Sequence, residues 1–62
     1  MPWFVSYEAR PMGAIGVFSV RGLSSAAATE SEALEEVREA LHKAGFETRF
    51  PVRVYQYQEN DE

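Results

Sequence analysis

Two sets of residues in this chain have the types and spacing for recognition chemistry, and they fall in different segments. Glu30, Glu32, Glu35, Glu36 and Glu39 crowd the stretch from Thr29 to Lys43. Arg49, Arg53, Tyr55 and Tyr57 share one parity of the C-terminal stretch, and Arg10 and Arg21 lie in or beside two other extended segments. Arginines beside exposed aromatic rings can stack on flat groups and neutralise anions, as in sheet-based RNA binders. Carboxylates three and four apart share a helix face, where they can meet a basic surface or weakly hold a hard cation.

Catalytic chemistry finds little to work with. His42 is the single histidine; it sits off the apolar stripe of its segment, beside Lys43. A general base needs an orienting carboxylate and a pocket, and the sequence offers neither around it. Ser24-Ser25 lacks the glycine pattern of a nucleophile elbow. Gly13-Ala14-Ile15-Gly16 is a fragment of a phosphate-loop pattern, but a strand follows it where a helix N-terminus is needed. The chain has no cysteine, which excludes disulfides, thiolate zinc sites and cysteine nucleophiles. The expectation is a chain that performs no chemistry and has no catalytic, cofactor-binding or metal-binding residue. The candidate partner-binding residues are Arg49, Arg53, Tyr55, Tyr57, Glu32, Glu35, Glu36 and Glu39. The plainer role for the glutamates is a solvated helix face with Glu35 near Arg38 and Glu39 near Lys43.

The elements that must position these residues follow from periodicity. Trp3 to Ala9 alternates and is rich in aromatic and β-branched residues, which predicts a strand. Apolar residues on both its faces near the start suit a central position. Arg10-Pro11-Met12-Gly13 fits a type I turn, and Ala14 to Leu23 is again strand-like, completing a hairpin. Thr29-Glu30-Ser31-Glu32 has the capping-box pattern, with glutamates in the first turns, where the helix dipole favours negative charge. Ala33, Leu34, Val37, Ala40, Leu41 and Ala44 form one apolar stripe, so a helix is predicted over residues 30–44. Gly45 is placed for a left-handed C-terminal cap, with Phe46 folding back beside it.

From Phe46 to Tyr57 the period returns to two. Phe50, Val52 and Val54 are expected to face the helix, with Arg49, Arg53, Tyr55 and Tyr57 facing away. Pro51 cannot donate to a ladder, so this strand belongs on an edge or bends there. A polar tail over residues 58–62 closes the chain. Strand, strand, helix, strand gives a small α+β domain. Antiparallel pairing of strand three beside strand one gives the order 2-1-3, preferred over a parallel pair in a tiny sheet with one open face. That open face would carry Arg49, Arg53, Tyr55 and Tyr57, with Tyr7 or Trp3 as further candidates. Such a patch marks an interaction site or a homodimer interface.

Sixty-two residues make one domain, and a chain this short buries only about 60% of its unfolded surface. A net charge of −4 and a pI near 4.9 disfavour general affinity for nucleic acid or membranes. No secretory signal is visible at the start, and no run approaches the roughly 18 apolar residues of a membrane helix. A cytoplasmic protein is expected.

The run Ala28 to Leu41 resembles the helix entry of HicB-like antitoxins, in which a threonine and acidic residues open a helix after a hairpin. It covers about a quarter of the chain; the proline-aspartate-glycine segment expected before that helix and an added DNA-binding domain are absent. The resemblance implies an antitoxin-type domain that neutralises a partner protein. The small size and acidic makeup are also similar to accessory proteins of phages and mobile elements, including inhibitors of host defence. The leading expectation is therefore a small protein-interaction module with an unknown protein partner. A homodimer through the edge strand or the open sheet face is a second possibility, and nucleic-acid binding through that face the alternative.

Overall fold

The computed structural model describes residues 1–57; the tail expected over residues 58–62 lies outside the described residues. Strand β1 (Trp3–Pro11) is followed by β2 (Ser19–Ser25), helix α1 (Glu30–Lys43) and β3 (Phe46–Gln56). The three strands form one antiparallel sheet in the order β2-β1-β3, with α1 packed on one face. This is a small α+β domain with the ββαβ order that the periodicity indicated.

Helix α1 forms where local signals agree. Thr29 takes an extended conformation, and its Oγ1 accepts the Glu32 N–H at 3.3 Å. The cap satisfies a donor that would otherwise lack an intrahelical partner. At the other end the Ala44 N–H reaches the carbonyls of Ala40 and Leu41, and Gly45 turns the chain at φ +93°. Any other residue type is strained there, which accounts for the glycine. Thr29→Ala is expected to lower stability by about 1 kcal/mol, seen as an earlier urea midpoint at unchanged slope.

The core is thin. Val5, Tyr7 and Ala9 from β1 and Ala33, Val37 and Leu41 from α1 are buried, and Trp3, Ala27, Leu34, Phe46 and Val54 pack around them. Alternation along β1 puts Trp3, Val5, Tyr7 and Ala9 on the helix side and Phe4, Ser6, Glu8 and Arg10 on the other. Tyr7 and Trp3 are thus core residues, correcting their candidacy for the open face. The Tyr7 hydroxyl donates to the Leu34 carbonyl at 2.9 Å, which satisfies the polar end of a buried ring.

Three details differ from the sequence expectations. The turn lies one residue later than expected: the Ala14 N–H bonds the Pro11 carbonyl at 3.0 Å, with Gly13 at φ +83° in the third position. A positive φ there after an ordinary Met12 is type II geometry, not type I. Strand β2 starts only at Ser19, because Gly16 at φ +145° interrupts the extended backbone. Ile15 and Val17 are consequently 100% and 90% exposed in the loop before it. Finally, β3 is irregular against β1. Ser6 pairs with Arg53 but Tyr7 with Pro51, and Ala9 then pairs with Thr48. Each shift inserts an extra β3 residue, as in a β-bulge. Val54 packs toward the helix as expected, but Phe50 and Val52 do not; they are 65% and 49% exposed.

Candidate functional site

The sheet face opposite α1 gathers most of the chain's arginines and many of its aromatic rings. Residues directly paired across antiparallel strands share a face. Phe4 pairs with Ser24 and Tyr55, Ser6 with Gly22 and Arg53, Glu8 with Val20, and Arg10 with Glu47. These residues therefore lie together on the uncovered side. Phe4, Ser6, Val20, Gly22, Val52 and Arg53 line a shallow depression of about 450 Å³ near its centre.

Gly22 is there because Phe4 needs the room. A Cβ at Gly22 would stand 2.4 Å from the tip of the Phe4 ring, so the ring lies across bare backbone. Its other neighbour is Tyr55, with ring centroids 5.6 Å apart and planes tilted by 39°. Such aromatic pairs across strands add stability beyond their buried area. Tyr57 closes this end of the face, its hydroxyl 2.9 Å from Ser24 Oγ on the far strand.

Charges on the face are largely matched. Arg10 pairs with Glu47 and also donates through Nη1 to the Gly16 carbonyl at 2.8 Å. Arg49 lies 3.6 Å from Glu8. Both guanidiniums stand over the Phe18 ring, at 4.4 Å for Arg10 and 4.9 Å for Arg49, and Arg49 also lies 5.4 Å from the Phe50 centroid. Arg53 has no carboxylate within 4 Å among the described residues. The face thus carries three arginines and two carboxylates, and among the described residues Arg53 is the arginine without a carboxylate partner. Arg21 is on the helix side, where it covers Phe46 at 4.6 Å.

The four expected sheet residues, Arg49, Arg53, Tyr55 and Tyr57, are brought together on this face. Phe4, Phe18, Val20, Val52, Glu8 and Glu47 belong with them and were not singled out from sequence. A register linking β1 to β3 would have shown Arg10 opposite Glu47 and Phe4 opposite Tyr55, but sequence alone does not give that register.

The acidic helix surface is a separate region. Glu32, Glu35, Glu36 and Glu39 are all exposed. Glu35 lies 3.8 Å from Arg38, the expected pair. Glu36 accepts a hydrogen bond from the buried Ser25 hydroxyl at 2.5 Å, and that oxygen also accepts the Ala27 N–H. Glu36 therefore helps to hold the connector between β2 and α1. The pair expected between Glu39 and Lys43 is not formed within 4 Å among the described residues. Among the described residues no three acidic or histidine side chains come close enough to hold a metal ion. His42 is exposed, its Nε2 3.4 Å from Thr48 Oγ1.

A second hollow, about 380 Å³, lies between Met1, Pro2 and Ala26–Ala28, with no acidic or histidine side chain in its lining. No described helix is long and apolar enough to cross a membrane. No family model, curated protein or solved structure matches the chain. The likeness of the helix entry to HicB-like antitoxins thus rests on the capping pattern alone.

Proposed function

We propose that this chain is a non-enzymatic protein-interaction module that acts by docking its open sheet face on another polypeptide. It would work in the cytoplasm as an accessory or inhibitor protein of the phage or mobile-element kind. The observation that carries this reading is the state of the arginines. Two of the three on the face already have carboxylate partners, and the ground between them is apolar: Val20, Val52 and Tyr55 are 61%, 49% and 44% exposed. Nucleic-acid surfaces use unpaired positive charge to displace counterions from phosphates. Protein interfaces instead have an apolar, aromatic centre with arginine enriched and other charges few.

The helix is the less favoured contact surface, since Glu35 and Glu36 already have partners within the domain. The test is capture of partners on the immobilised chain after nuclease treatment, with an untagged copy of the chain among the candidates. Val52→Glu with Tyr55→Glu is expected to reduce capture at least tenfold, while Glu32→Lys with Glu39→Lys leaves it unchanged. Recovery of nucleic acid that is lost with salt and with Arg53→Glu would overturn the reading.

A further inference from the structure

We infer that the polypeptide covering the open sheet face is a second copy of this chain, packed sheet to sheet with both helices outward. The inference rests on the interaction reading above and names its partner. Three observations converge on it.

The first is the size of the core. Among the described residues only six apolar side chains are buried, in a chain of 62. Domains below roughly 70–80 residues usually need a staple, such as disulfides, a metal or oligomerisation. The chain has no cysteine, and the described residues hold no metal-ligand cluster. A second sheet laid on the open face would enclose Phe4, Val20, Val52 and Tyr55 in a second apolar layer. The product is a four-layer α/β/β/α sandwich.

Charge selects the orientation. Each copy carries −4 overall, so two copies repel in most approaches. The five glutamates of α1 are opposed by only Arg38 and Lys43, whereas the open face has Arg10, Arg49 and Arg53 against Glu8 and Glu47. Sheet-to-sheet contact keeps the acidic helices at the two outer surfaces, farthest apart. It also apposes mixed charges, so Arg53, which has no carboxylate partner among the described residues, can meet a carboxylate of the other copy. A two-fold interface must be complementary to itself, and a face bearing both signs around an apolar centre can be.

Area is the third. The molecule measures 42 × 20 × 17 Å, so its broad face is of the same order as the ~800 Å² each partner contributes to a standard stable interface. The edges are less suited. Strand β3 has Pro51 and two bulges, devices that discourage edge pairing, and β2 is only seven residues long.

Sedimentation velocity across a concentration series tests this on the full chain. The expected species has twice the 7.0 kDa chain mass. Val20→Glu with Val52→Glu changes side chains that are exposed in the single copy, so its circular dichroism without denaturant should stay native, with an earlier urea midpoint as the staple is lost, while the dimer dissociation constant rises at least 100-fold. Leu23→Lys, on the other face of β2, should leave the dimer intact. A wild-type chain that stays monomeric up to millimolar concentration would overturn the inference. If Val52→Glu with Tyr55→Glu still abolished capture of a different protein, the interaction reading would survive that failure. A dimer lost with Leu23→Lys but kept in the double glutamate variant would put the contact on the β2 edge and equally overturn it.

Discussion

Val37→Asp is expected to leave the chain without a native state, shown by a coil-like far-ultraviolet spectrum and collapsed amide dispersion. Val37 is 1% exposed and sits in the cluster formed by Val5, Tyr7, Ala33 and Leu41. Every member of that cluster is uncharged, so the new carboxylate must be buried among apolar side chains or expel α1 from the sheet. An unpaired buried charge costs several kcal/mol. A domain of this size rarely has more than about 3–5 kcal/mol in total. Val37→Ala is the graded companion. It removes two methyl groups and leaves a small cavity, at about 2 kcal/mol, so a folded but weakened protein is expected. If the aspartate variant kept native amide dispersion, Val37 would not be at the centre of the core and the packing of α1 would be wrong.

How much of this could be read beforehand depends on where local and long-range signals coincide. The helix was legible because cap, apolar stripe and Gly45 all sit within one segment. The strand order was legible from chain direction, since the helix returns β3 antiparallel to β1. The β3 faces were only half legible, and the two bulges explain which half. One bulge reverses the parity of everything beyond it, and a second restores it. Arg49 therefore ends on the same face as Arg53, as simple alternation implied. Val52 and Phe50 lie between the shifts and leave the helix side. Pro51 marks the place, but a proline does not say how many residues will be inserted.

The loop before β2 failed for a related reason. Ala14, Ile15, Val17 and Phe18 have strand composition, yet Gly13 and Gly16 both take positive φ and break the extension. Strand-like composition and turn glycines conflict in this segment, and the glycines decide the backbone. The pairing of Arg10 with Glu47 and of Arg49 with Glu8 spans 37 and 41 positions. Charges that far apart in sequence become neighbours only through register. The sequence accordingly showed a basic, tyrosine-bearing face, whereas the folded face is close to balanced.

Tyr7 gives the second large effect and has a pH signature. It is 4% exposed, spans the layer between sheet and helix, and donates to the Leu34 carbonyl. Tyr7→Ala is expected to cost about 3–5 kcal/mol, the range for other buried aromatics, which is comparable with the whole stability. Tyr7→Phe keeps the ring and loses one hydrogen bond, at about 1 kcal/mol near neutral pH. Burial raises the Tyr7 phenol above its ordinary value; Arg38 opposes that shift and Glu35 adds to it. Below about pH 10 the phenol is protonated in both folded and unfolded chains, so this residue makes stability independent of pH there. Above that pH the unfolded chain releases the proton while the folded chain holds it. The unfolded state then binds fewer protons, and stability falls as pH rises through the folded-state value. The phenylalanine variant lacks this loss, while Tyr55 and Tyr57 are common to both proteins and cancel in the comparison. Urea midpoints measured from pH 7 to pH 11 should therefore show the wild-type advantage shrinking only on the alkaline side. Curves that stayed parallel throughout would mean that the Tyr7 hydroxyl reaches water, and the core described above would lack its central polar anchor.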